Sequence, residues 1–175
     1  MVLLLRVFAI RRRARDVVMS WYLFASVPKH HCLHSSYASF VGGGTGGTAG
    51  SYGFVGGGAA NMAAIYGTVG GGRQNTATGR YAAVCGGREQ TASAEYSSIG
   101  GGWGNRASGL NAAVGGGLDN TATGDQTFIG GGWENTAAGQ HASVGGGWSN
   151  TGEGMFLLVL PAHLHLLLAA TTFVH

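Results

Sequence analysis

A single β-branched apolar residue recurs before short glycine runs along most of the chain. Successive markers are separated by fourteen residues twice and then by fifteen throughout; they are Val41, Val55, Val69, Val84, Ile99, Val114, Ile129 and Val144. A repeat this short is too small for a helix pair and matches no heptad, but it suits one coil of a solenoid. The spacing therefore predicts an all-β fold, a parallel β-roll or β-helix of about eight coils over residues 41–154.

The alternation of small and polar residues within each unit predicts which side chains point inward. The unit reads Val/Ile-Gly-Gly-Gly-x-x-Asn-Thr-Ala-x-Gly-x-x-Ala-x, and residues two apart share one face of a strand. We expect Ala112 to lie beside Val114, and Thr121 to share the opposite face with Thr123. The variable positions are expected to point outward; they include Arg80, Tyr81, Glu95, Tyr96, Gln126, Phe128 and His141.

An amide recurs once in each unit. We expect these side chains to stack as a ladder between coils, with Gln90 adding one methylene to the series Asn75, Asn105, Asn120, Asn135 and Asn150. Asparagine is also a common turn former, and this explanation remains open. Both interpretations assign the amides a structural role.

Composition divides the chain into three parts. All 35 glycines lie between Val41 and Gly154. There they make up about three residues in ten, against an ordinary usage of about 7%. Residues 1–40 hold six of the ten basic residues and one acid, whereas the array holds four arginines and six acids. The basic pI of about 9.1 therefore reflects the leader, and we predict no nucleic-acid partner for the array.

The two ends read as additions to the repeat array. Residues 1–40 form a basic and apolar leader that resembles a secretory signal, with a mitochondrial-type presequence or non-native sequence as alternatives. Residues 155–175 form an uncharged apolar tail about one membrane crossing long. We expect the tail to be a membrane segment, a cap on the last coil, or non-native sequence.

The repeated Ala-x-Val-Gly-Gly-Gly-x-x-Asn-x-Ala-x-Gly pattern resembles the head repeats of YadA-like trimeric autotransporter adhesins. The resemblance covers residues 41–154 and implies a left-handed parallel β-roll, a homotrimer, and display at a cell surface or secretion. It also implies binding of host, matrix or carbohydrate partners through a repetitive face. The fifteen-residue unit is one residue longer than the family norm.

Two sets of outward residues are candidate binding surfaces. An apolar set is expected to contact a partner or a second chain; it comprises Trp103, Leu118, Trp133, Trp148 and Phe128. A threonine row predicts the alternative function, since it resembles the Thr-x-Thr rows of ice-binding β-helices; it comprises Thr76, Thr78, Thr121, Thr123 and Thr136. Arg106 interrupts this row, so we expect ice binding to be absent or weak.

Residues that carry chemistry are sparse in the array. No Gly-Lys-Ser/Thr follows the glycine runs, and no aspartate recurs at calcium-roll spacing. His30, His31, Cys32 and His34 lack a second ligand pair at fixed spacing, as a metal site would need. We therefore predict a protein that is not an enzyme, with no catalytic residues, no cofactor and no metal.

Overall fold

The structure, a computed structural model, describes residues 33–34, 37–154 and 158–159. It confirms the predicted all-β parallel solenoid of about eight coils spaced about fifteen residues apart. Every secondary-structure element in these residues is a two-residue strand. The described part of the chain accordingly offers no apolar helix long enough to cross a membrane.

Two nine-stranded parallel sheets run the length of the solenoid. The threonine sheet contains β1 Leu33–His34, β3 Thr48–Ala49, β5 Met62–Ala63, β7 Thr76–Ala77, β9 Thr91–Ala92, β11 Arg106–Ala107, β13 Thr121–Ala122, β15 Thr136–Ala137 and β17 Thr151–Gly152. The valine sheet contains β2 Phe40–Val41, β4 Phe54–Val55, β6 Thr68–Val69, β8 Ala83–Val84, β10 Ser98–Ile99, β12 Ala113–Val114, β14 Phe128–Ile129, β16 Ser143–Val144 and β18 Leu158–Val159.

The sheets extend beyond the glycine-rich stretch by one strand at each end. β1 pairs with β3, and β18 pairs with β16, both in parallel. Apart from residues 33–34, 37–40 and 158–159, the predicted leader and tail lie outside the described residues, and so do His30, His31 and Cys32.

The core consists of small side chains held between the two sheets. Each coil buries one valine or isoleucine from the valine sheet and one small residue from the threonine sheet, as Val84 and Ala92 illustrate. Side chains two apart on these strands point the same way. Ala112 and Val114 therefore lie together inside, and Thr121 points outward beside buried Ala122, as predicted.

Two kinds of turn connect the sheets, and each forms one edge of the solenoid. The glycine edge leads from the valine sheet to the threonine sheet, through residues 85–90 and their equivalents. The tyrosine edge leads back, through residues 93–97 and their equivalents. The change from fourteen to fifteen residues occurs at the tyrosine edge, because Tyr66 follows the paired Ala63 by three positions whereas Tyr81 follows Ala77 by four.

The glycine edge requires glycine at the third position of each run. Gly102 has φ +94°, which L side chains rarely adopt, and a Cβ there would meet the carbonyl oxygen of Gly117 in the next coil. The middle position is different, since a Cβ on Gly101 would meet nothing within 4 Å. Each run therefore contains more glycines than steric contact between coils requires.

A continuous amide ladder lies buried inside the glycine edge, as predicted. The Oδ1 of Asn120 accepts the backbone N–H of Asn135 at 3.0 Å, while its Nδ2 donates to the carbonyls of Gly116 and Gly132 at 3.0 and 2.9 Å. Each amide therefore joins its own turn to the next coil, so ladder and turn former are one device. The ladder begins one coil earlier than predicted, at Asn61.

Gln90 occupies the ladder imperfectly. Its Oε1 accepts the backbone N–H of Asn105 at 2.9 Å, yet its Nε2 is buried without a hydrogen-bond partner. The added methylene carries the nitrogen away from the glycine carbonyls that its asparagine counterparts reach. This coil is therefore the least satisfied step of the ladder.

Candidate functional surfaces

The glycine edge presents one outward column of side chains in coil-to-coil register. Consecutive members of this column, here called the edge column, form parallel bridges; they are Thr45, Ala59, Arg73, Arg88, Trp103, Leu118, Trp133 and Trp148. The column therefore passes from small residues through two arginines to a large apolar segment. Its indoles are 48%, 45% and 65% exposed at Trp103, Trp133 and Trp148.

A charged cluster forms where the arginines meet the tryptophans. The guanidinium of Arg88 lies 5.0 Å from the ring centre of Trp103, and the Trp103 Nε1 donates to the Glu89 carboxylate at 2.9 Å. Arg88 also pairs with Glu89 at 2.9 Å. The Trp103 hydrogen bond and then that of Arg88 hold the pKa of Glu89 below its ordinary value of 4.5.

The tryptophans farther along the edge column stack on each other. The rings of Trp133 and Trp148 are 5.4 Å apart and tilted by 12°. Asp119 and Glu134 follow Leu118 and Trp133 directly in sequence, both in the left-handed region, and both are exposed. Asp119 and Glu134 therefore lie beside the apolar half of the edge column without a compensating positive charge among the described residues. Arg73 lies in the other half of the same column.

Phe128 lies on a different face from the tryptophans. It occupies the outward position of β14 in the valine sheet, where its register partners are Ala113 and Ser143. The stacked pair Phe40 and Phe54 holds the same outward position near the other end of that sheet, with ring centres 5.2 Å apart. The apolar set chosen from sequence therefore divides between two faces.

The tyrosine edge carries an aromatic stack that the repeat pattern alone does not predict. Its ring centres are 5.0, 5.0 and 5.1 Å apart in the order Tyr52, Tyr66, Tyr81 and Tyr96. Each ring is between 37% and 53% exposed. The guanidinium of Arg80 lies 4.9 Å from the Tyr81 ring centre and 5.6 Å from that of Tyr66. For Tyr81 and Tyr96 the sequence predicts only that they point outward.

Recurrence of tyrosine at the coil period is the sequence signal for this stack. The spacings of fourteen, fifteen and fifteen residues follow those of the valine markers. All four tyrosines have positive φ, as do the later residues Asn111, Gln126 and His141 of the same column. Because bulky residues rarely adopt this conformation, local preference gives no reason to place tyrosine in the turn.

The threonine sheet displays the predicted row on its outer surface. Thr76 pairs in register with Thr91, and Thr121 with Thr136, while exposed Arg106 lies between Thr91 and Thr121. Thr78 and Thr123 form part of a second, exposed column two residues farther along each coil. Arg106 therefore interrupts the first of these columns.

Groups of metal-ligating residues are lacking from the described residues, in which no three His, Cys, Asp or Glu side chains come together. Cys85 is exposed and carries a free thiol at the first position of its glycine run.

The chain matches no family model and no curated protein.

Proposed function

We propose that this chain is a non-enzymatic, adhesin-like or structural repeat protein, displayed at a cell surface or secreted. It binds host, matrix or carbohydrate partners through a repetitive face, as its resemblance to YadA-like head repeats implies. The resemblance also implies a homotrimer, an expectation that the adhesin-like proposal itself does not require.

The tyrosine edge is the observation that carries this proposal. Four stacked rings hold one another by their faces and leave their outer edges partly exposed, so they form a rigid amphipathic strip about three coils long. Tyrosine supplies a large contact area at low entropic cost, and arginine is the other residue enriched in interface hot spots. Arg80 supplies the cation in the middle of this strip.

Binding of the full chain to immobilised glycans and extracellular-matrix proteins tests the proposal. A Tyr66→Ser and Tyr81→Ser double variant should lose at least about tenfold in affinity, since each aromatic anchor contributes on the order of 1 to 2 kcal/mol. Gln126→Ser is the matched control, because Gln126 holds the same turn position in a coil without tyrosine. Equal binding by both variants, or binding to no probe by the wild type, contradicts the proposal.

Ice binding is the second candidate, and the registered threonine column favours it. Thr76, Thr91, Thr121 and Thr136 lie in register on the outer face of one sheet. Arg106 projects a long charged side chain from the middle of the column, so we expect little thermal hysteresis from the wild type. If this face does bind ice, Arg106→Thr should raise hysteresis and Thr121→Tyr should abolish it. Hysteresis absent from both the wild type and Arg106→Thr contradicts this candidate.

A further inference from the structure

The order of residues along the edge column is complementary to its own reverse. Counting coils outward from Trp103, the first coil on either side carries Arg88 or Leu118, and the second carries Arg73 or Trp133. The third carries small Ala59 on one side and large Trp148 on the other. Reversal about Trp103 thus sets small Ala59 against large Trp148, cationic Arg73 against aromatic Trp133, and Arg88 against Leu118.

Charge obeys the same relation at the second coil, where Glu134, which follows Trp133 in the sequence, would face Arg73 of a reversed copy. At the first coil Asp119 would face Arg88, whose charge is already paired with Glu89. Within the described residues neither Asp119 nor Glu134 makes an ion pair, and Arg73 makes none either, although its charge acts on Glu89 in the next coil. Arg73 and Glu134 are four coils apart in one chain, about 19 Å, which is too far for them to pair internally.

We propose that the glycine edge is a self-association surface on which a second copy of this chain docks antiparallel, about a twofold axis at Trp103. Arg73 of each chain then meets Trp133 and Glu134 of the other. The contact is isologous, since one patch meets itself. This proposal does not rest on the adhesin-like function, because it requires no host or matrix partner.

The chain already contains one example of the contact. Arg88 covers Trp103 while the Trp103 indole N–H donates to Glu89. The antiparallel pair repeats this chemistry twice between chains, because Arg73 faces a tryptophan with an acid next to it. Tryptophan is the most favourable ring for a cation, and arginine is the cation found there more often than lysine.

A parallel arrangement that joins this edge to itself is opposed by charge. Coil would meet the same coil, so that Arg73 would face Arg73 and Glu134 would face Glu134. Like charges across an interface are costly and exclude wrong partners. A parallel trimer instead joins two different faces at equal height, so the complementarity of the edge column to its own reverse would play no part in it.

Sedimentation equilibrium on the full chain at micromolar concentration tests the proposal through charge reversal. The wild type should form a dimer, and Arg73→Glu and Glu134→Arg should each raise its dissociation constant about tenfold or more. Mixing the two single variants should restore a dimer, because the two substituted side chains then face each other with opposite charge while the native pair re-forms on the other side. The double variant in one chain should also dimerise.

Glu95→Arg is the matched control, because it reverses an exposed charge on the tyrosine edge and should leave the dimer unchanged. Equal circular dichroism and unfolding midpoints for all variants at low concentration exclude misfolding. A wild-type monomer overturns the proposal, and so does a trimer, which would instead agree with the parallel assembly that the resemblance implies. A dimer in which Arg73→Glu binds the wild type more tightly than the wild type binds itself also overturns it, because only a parallel contact places the substituted side chain against the native Arg73 of the partner.

Discussion

The two edges of this solenoid solve one problem in opposite ways. Each must reverse the chain within a few residues and hold successive coils together. The glycine edge places its connecting groups inside, as a buried amide ladder that includes Asn105 and Asn120. The tyrosine edge places them outside, as the partly exposed stack from Tyr52 to Tyr96. Internal hydrogen bonding tolerates little change, whereas external stacking leaves side chains free to bind a partner.

Glycine substitutions should break the glycine edge most severely. Gly102→Ala places a Cβ against the Gly117 carbonyl at φ +94°. We expect a loss of about 3 kcal/mol or more of unfolding free energy from strain and overpacking. Gly101→Ala, one residue earlier, should change it by less than about 0.5 kcal/mol, since nothing lies near its Cβ. Urea unfolding of both variants measures these changes. Equal losses of unfolding free energy would show that close contact between successive coils does not explain the need for glycine at the third position.

Asparagines on the two edges should differ in their contribution. Asn120→Ala leaves the buried N–H of Asn135 without its acceptor, so we expect a loss of about 2 to 4 kcal/mol. Asn111→Ala removes an exposed side chain from the tyrosine edge. It should lower the free energy of unfolding by about 1 kcal/mol or less, because asparagine adopts a positive φ more readily than alanine. Similar losses in urea unfolding would remove the distinction between internal bonding and external stacking.

The sequence predicted the internal ladder better than the external stack. Fixed spacing and alternation determined the sheets, the buried Val84 and Ala92 columns, and the amide ladder, because these follow from a period and a strand alternation. The tyrosine stack was missed, since its rings meet only after coils align and occupy a turn conformation unfavourable for tyrosine. Phe128 joined the tryptophans in one predicted set because spacing alone does not say which face a column belongs to.

Repairing the imperfect step should strengthen the ladder. The buried side-chain nitrogen of Gln90 has no hydrogen-bond partner. In Gln90→Asn the shorter side chain should place its nitrogen as in Asn105, which donates to the carbonyls of Gly101 and Gly117. We expect a gain of about 1 kcal/mol, the usual difference between a made and an unmade buried hydrogen bond. The reverse change, Asn105→Gln, should lose a similar amount. A lower melting temperature for Gln90→Asn would mean that the local backbone has adapted to the longer side chain.

The aromatic stack should contribute modestly and by number of neighbours. Tyr81 stacks on two rings and Tyr52 on one. Since an aromatic pair is worth about 0.5 to 1.5 kcal/mol, Tyr81→Ser should cost about twice as much as Tyr52→Ser. Melting temperatures compare the two variants at one concentration. If Tyr81→Ser proves as costly as Asn120→Ala, the tyrosine edge is as intolerant as the glycine edge.

The smallest expected effect is a pH dependence at the charged cluster of the glycine edge. The hydrogen bond from Trp103, followed by that from Arg88, lowers the pKa of Glu89 below 4.5 in the folded chain. A depressed carboxyl pKa adds stability that is present above the unfolded value and is lost as pH falls through the folded value. The melting temperature of the wild type should therefore decline below pH 4.5 slightly more than that of Glu89→Gln, whose side chain does not titrate.

Carbon NMR titration of the Glu89 carboxyl locates the cause. In Trp103→Phe the indole donor is gone while a ring remains for Arg88 to cover, so the Glu89 pKa should rise toward 4.5. Arg88→Met should also raise it, because this change removes both a hydrogen bond and an attractive charge. A larger rise in Arg88→Met than in Trp103→Phe would mean that the ion pair, rather than the indole, orients this carboxylate. The position of the Glu89 carboxylate would then depend on Arg88, and Arg88 would be the residue that holds the three side chains together.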